Sequence, residues 1–103
     1  MKGEVIDGCL LVMHPDDTVG TAIEELDAGR SFVWEEARVG VRDAIDFGHK
    51  VALDSMAAGD PVRKYGEVIG RATADIPPGA WVHTHNVESQ RGRGDQREGG
   101  ADG

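Results

Sequence analysis

Cysteine is almost missing from this chain. A single residue, Cys9, stands among 103, which excludes an internal disulfide. Its place in the apolar run CLLVM reads as a buried core thiol rather than a nucleophile. Aromatic residues make up only 5%, so a core has to be built from Val, Ile, Leu and Ala. Lysine is scarce as well: Lys2, Lys50 and Lys64 stand against eight Arg, and the net charge is −8. That charge argues against non-specific binding to nucleic acid, which needs a basic surface. Many acids with few lysines suit a high-salt cytoplasm or an ordinary acidic domain. Stability followed from low to molar KCl separates the two, because a salt-adapted domain loses structure at low salt. No run of about 18 apolar residues and no signal-peptide pattern occur, so the expectation is a soluble cytoplasmic protein with no membrane partner.

What is abundant is glycine, at 15 residues beside only 4 prolines. This composition predicts tight turns between short strands rather than a helical bundle. A small unit recurs: LDAGRSF, IDFGHKV, MAAGDPV and IPPGAWV each place an apolar residue, a two-residue bend, a glycine suited to positive φ, and a return to apolar strand. CLLVM reads as a buried strand. Val19, Ala22, Ile23 and Leu26 fall at helical spacing, with Asp16 or Asp17 placed to cap and Gly29 to terminate. The spacing therefore predicts one short helix over residues 18–28. Residues 1–8 are read as a flexible N-terminus and residues 9–87 as the domain. Residues 88–103, glycine-rich and without a large apolar side chain, are read as a disordered tail.

The residues able to carry chemistry cluster around four histidines. His14 precedes PDD, His49 follows a corner glycine beside Lys50, and His83 and His85 share the stretch WVHTHN. Were WVHTHN a strand, His83 and His85 would point to one face. They would then form a metal half-site completed by His14 or Asp16, an acid/base pair, or a plain surface pair. Lys50, Arg63, Lys64 and Arg71 could receive an acidic substrate, or be solvated charge. Tyr65 is either a core residue or a hydroxyl donor. The aspartates of HPDD are most simply caps.

The blocks HPDDTVGTAIEEL and GHKVALDSMAAGDPVRKYGEVIGRATADIPPGAWVHTHN closely resemble the SAF-type domain of the altronate and galactarate dehydratase family. The same domain serves as the small subunit of sulfolactate sulfo-lyase. The resemblance runs from about Leu10 to Val87 and implies a mainly β, β-clip fold of folded-over short strands. It further implies a small (alpha) subunit of a lyase, inactive without a large dehydratase subunit. Such an enzyme eliminates water, or sulfite, from a hydroxy or sugar acid, with Fe(II) or Mn(II) as the suggested metal. Carried over on the matching blocks, the catalytic candidates are His14, His49, His83 and His85. Lys50, Lys64, Tyr65 and Asn86 are the substrate-binding candidates, and His83 and His85 the metal candidates. The alternative is a stand-alone SAF-type module that binds carbohydrate or acid without catalysis. The particular hydroxy acid and the oligomeric state are not written in these motifs.

Overall fold

Short apolar runs bounded by glycine and by charged turns make short strands. The computed structural model describes residues 3–89, and among them it is built of strands. These are β1 (Glu4–Ile6), β2 (Leu10–Val12), β3 (Val19–Ala22), β4 (Ser31–Trp34), β5 (Ala37–Gly40), β6 (Lys50–Ala52), β7 (Pro61–Lys64), β8 (Glu67–Ala72), β9 (Trp81–Val82) and β10 (Val87–Ser89). A five-stranded antiparallel sheet has the order β1-β2-β3-β6-β9, a three-stranded sheet the order β10-β8-β7, and β4-β5 form a hairpin of their own. The mainly β, folded-over architecture is the one the glycine corners and the family resemblance implied.

The four corner motifs are one structure used four times. In each, four residues close a turn with glycine third: Arg30 N donates to Asp27 O, His49 N to Asp46 O, Asp60 N to Ala57 O and Ala80 N to Pro77 O, at 2.9–3.2 Å. The glycines have φ from +85° to +98°, the type II pattern that L side chains resist. The corners then pair: Leu26 bridges Ile45, and Met56 bridges Ile76. Leu26 and Gly29 stand to hairpin β4-β5 as Met56 and Gly59 stand to hairpin β7-β8, about thirty residues on. Two core clusters form, one around each pair of corners. Leu10, Leu26, Phe32, Ile45 and Leu53 lie in the first; Val19, Met56, Val62, Ile76 and Val82 lie in the second.

The helix expected over residues 18–28 does not form. Val19–Ala22 is strand β3, paired with β2 and β6, and Leu26 is the bridge residue of the first corner. The apolar spacing that suggested a helix is produced instead by a strand followed by a bend that swings Leu26 back into the core. Ile23, which a helix face would have buried, is exposed. The N-terminal reading changes too. Asp7 and Gly8 both take positive φ and turn β1 back onto β2, with Ile6 opposite Leu10. The folded domain thus begins before Cys9. It extends past Val87, since Ser89 pairs with Gly70. The rest of the expected tail lies outside the described residues. Cys9 is fully buried, and burial pushes its thiol up.

Candidate functional site

WVHTHN is only partly a strand. Trp81 and Val82 form β9, and residues 83–86 fold into a turn. Asn86 causes the change. Its Oδ1 accepts from His83 N at 2.9 Å and its Nδ2 donates to Trp81 O at 2.9 Å, so the side chain ties up backbone groups that a strand would have paired. Asn86 N and Val87 N both donate to His83 O. Asn86 is buried, and its side chain shapes the loop that carries the histidines.

The loop gathers rings around one indole. His83 lies 5.2 Å from Trp81 at 11°, and His85 lies 4.9 Å away at 35°. His49, delivered by the second corner just before β6, lies 5.2 Å from His83 and 5.8 Å from Trp81. Trp81 Nε1 donates to His49 Nδ1 at 3.1 Å. Three of the four candidate histidines therefore share one ledge. The sequence reading overlooked Trp81, although it stands two residues before His83. The anchor of its backbone, Asp43 Oδ2 accepting from Trp81 N at 3.1 Å, comes from a distant segment and left no local signal.

Beside the ledge opens a cleft of about 350 Å³. Val62, Ile69, Val82 and Val87 form its apolar walls, and Lys50 and His83 its main polar groups. Burial holds the Lys50 ammonium below the ordinary lysine range, and the charge of Lys64 adds to the effect. Lys64 in turn lies 4.9 Å from the centre of the Tyr65 ring. Tyr65 is no core residue: it is exposed and sits at φ +58° on the tip of the β7-β8 hairpin.

That tip is held by the segment just before β3. Asp17, buried in the HPDD segment, accepts from Tyr65 N at 3.1 Å and Gly66 N at 2.8 Å. Arg63 N donates to Thr18 Oγ1 and Thr18 N to Arg63 O. Asp17 is thus a cap, but of a hairpin rather than a helix. His14 lies flat on Gly66, where an added Cβ would come within 2.9 Å of its Cδ2. The His14 Nδ1 accepts from Asp16 N. His14 and Tyr65 form one group, the ledge and Lys50 another, and Lys64 stands between them. Arg71 is engaged elsewhere, donating to Gly59 O.

Among the described residues no group of three or more His, Cys, Asp or Glu side chains could hold an ion. A metal lies in the plane of an imidazole that binds it. His83 and His49 are tilted by only 21°, so the planes of that pair do not converge on a nearby point; the metal candidates His83 and His85 are a different pair.

Lys50 supplies a prediction. Its folded-state value is lowered, so the folded chain binds that proton less tightly than the unfolded chain. The penalty is fully present at neutral pH and shrinks as pH rises through the lowered value toward the ordinary one. Lys50→Met should therefore keep or raise the thermal midpoint at neutral pH, and its advantage should fade at high pH. A fall of several degrees at neutral pH would contradict a desolvation-dominated cation.

A mainly β chain of paired corners, with histidines and lysines at a cleft, is a recognisable class of small module, and comparison supplies its family. Residues 9–90 match the altronate/galactarate dehydratase SAF domain, and the chain belongs to that family. It is 38% identical over 88 residues to the (2R)-sulfolactate sulfo-lyase subunit alpha of Chromohalobacter salexigens, covering 79% of this chain and 94% of the relative. It is 35% identical over 77 residues to altronate dehydratase of Bacillus subtilis, covering 75% of this chain. There it spans only 16% of the relative's length. Its relatives are lyases and dehydratases, one kind of them a named subunit of a larger enzyme.

Proposed function

We propose that the chain is the small subunit of a lyase that eliminates water or sulfite from a hydroxy acid, acting with a large subunit. The observation that carries this reading is the coverage: the chain matches nearly the whole of a sulfo-lyase alpha subunit but only a small part of the altronate dehydratases. The cleft is consistent with it. Elimination needs a proton removed beside a carboxylate, stabilisation of the enediolate, and help for the leaving group. Lys50 and Lys64 would attract the carboxylate, and the desolvation of Lys50 strengthens its pull on an anion. His83 and His85, at the mouth of the same region, would lie nearest the reacting centre, and Tyr65 at the hairpin tip could meet the substrate or the large subunit. The Fe(II) or Mn(II) of the family resemblance would need ligands from that subunit, and no step is assigned to it.

The test is co-purification from native extract, followed by assay of altronate, galactarate and sulfolactate. Turnover by a complex with a large chain, and by neither part alone, is the expected result. Failure to find a large partner or any turnover overturns the reading. Calorimetry of the isolated chain with the same acids checks the rival module, which predicts binding by the monomer without partner or metal.

A further inference from the structure

The bond between Trp81 and His49 restricts what His49 can do. Indole Nε1–H is a donor with no accepting capacity. His49 Nδ1 lies 3.1 Å from it, so in the neutral ring Nδ1 must keep its lone pair for that bond. The ring proton then resides on Nε2. The opposite tautomer would set Nδ1–H against Nε1–H and leave Nε2 bare. The arrangement is braced: Trp81 lies nearly parallel to His83, its backbone N is tied to Asp43, and its backbone O to Asn86. His49 is braced too, stacked on His83 within a turn closed by its own N.

We propose that Trp81 holds His49 as a permanent Nε2–H donor, so that His49 offers a hydrogen bond to an anionic oxygen and serves neither as the general base nor as a metal ligand. Both excluded roles need a bare Nε2, which this tautomer lacks. A neutral imidazole donor suits an oxygen that gains charge as an enediolate forms, because it stabilises that charge without having to lose its proton. Trp81 is the positioning residue. The donor's role in elimination rests on the lyase reading above, whereas the tautomer does not.

The experiment uses the full chain with ¹⁵N-labelled histidine. At roughly pH 8, above the ordinary histidine range, long-range ¹H–¹⁵N correlation should show His49 with Nε2 protonated and Nδ1 bare. Trp81→Phe keeps a ring for the histidines to stack on but removes the donor, and should move both His49 nitrogens toward averaged values. In the complex with the large subunit, His49→Ala should lose roughly 10²–10³-fold in turnover. His49→Gln, whose amide can still donate, should recover at least about tenfold of that, whereas a lost base could not be rescued by an amide. A wild-type His49 protonated on Nδ1, a tautomer unchanged in Trp81→Phe, or a folded His49→Gln no better than His49→Ala would each overturn the proposal. Absence of turnover from every preparation would count against the lyase reading alone, because the tautomer is measured without it.

Discussion

Asp17→Ala is expected to destabilise the chain by about 3 kcal/mol, two charge-assisted hydrogen bonds lost at once. At this size that lowers the thermal midpoint by roughly 12–24 °C. Asp17 is 2% exposed and its two carboxylate oxygens take Gly66 N and Tyr65 N. Those amides belong to a turn in which Tyr65, a non-glycine residue, is kept at φ +58°, a conformation that costs on the order of 1 kcal/mol for such a side chain. Without the carboxylate the strain has no counterpart, and the tip that presents Lys64 and Tyr65 should loosen. Asp17→Asn, which keeps one accepting oxygen, should cost about half as much. The neighbouring Asp16→Ala should stay within about 0.5 kcal/mol, because its side chain is 74% exposed. Thermal melts of the three variants check this; equal midpoints for Asp16→Ala and Asp17→Ala would refute the clamp.

Gly79→Ala should be worse, removing most of the stability of a domain whose total is about 5–15 kcal/mol. Two costs add there. The backbone has φ +85°, and a Cβ would run into the carbonyl oxygen of Gly40. Both neighbours are fixed, since Gly79 O accepts from Arg42 N at 2.9 Å and Gly79 N donates to Ala52 O at 2.8 Å. Backbone cannot yield as a side chain can. Gly29 provides the control. It is a corner glycine of the first half at φ +98°, with nothing within 4 Å of an added Cβ. Gly29→Ala should therefore cost only the conformational penalty, about 1 kcal/mol. Circular dichroism melts compare the two, and similar midpoints would show that the contact between the halves at Gly40 carries no weight.

Much of the fold was legible because glycine at positive φ is a local requirement. The motif Ile45-x-x-Gly48 or Ile76-x-x-Gly79 announces its own turn whatever surrounds it. Asp7-Gly8 carried the same kind of signal for hairpin β1-β2, and it was hidden by the polar composition of the N-terminus. The segment from Val19 to Leu26 misled for a different reason. A strand that bends and returns an apolar residue to the core leaves the same spacing as a helix turn, and only pairing with β2 and β6 separates the two. The thirty-residue duplication is masked because the successive corner glycines Gly29, Gly48, Gly59 and Gly79 are unevenly spaced, and the repeat shows only when alternate corners are compared, Gly29 with Gly59 and Gly48 with Gly79.

The site was legible as residue types and not as an arrangement. His49, Lys50, Lys64, His83 and His85 are conspicuous in a chain short of aromatics and lysines. The loop-shaping bonds of Asn86 are not legible, because a sequence does not show that its side chain meets the backbone of its own loop at both ends.

The sequence by itself determined the mainly β class, the corners, the buried thiol and the family, because each depends on residue type and short spacing. Only the tertiary structure decided that Asp17 caps a hairpin and that Lys50 is desolvated beside Lys64. It also brought the indole N–H of Trp81 to 3.1 Å from His49 Nδ1. Those facts depend on segments far apart in the chain brought to hydrogen-bonding distance, where burial and the direction of one N–H set the chemistry.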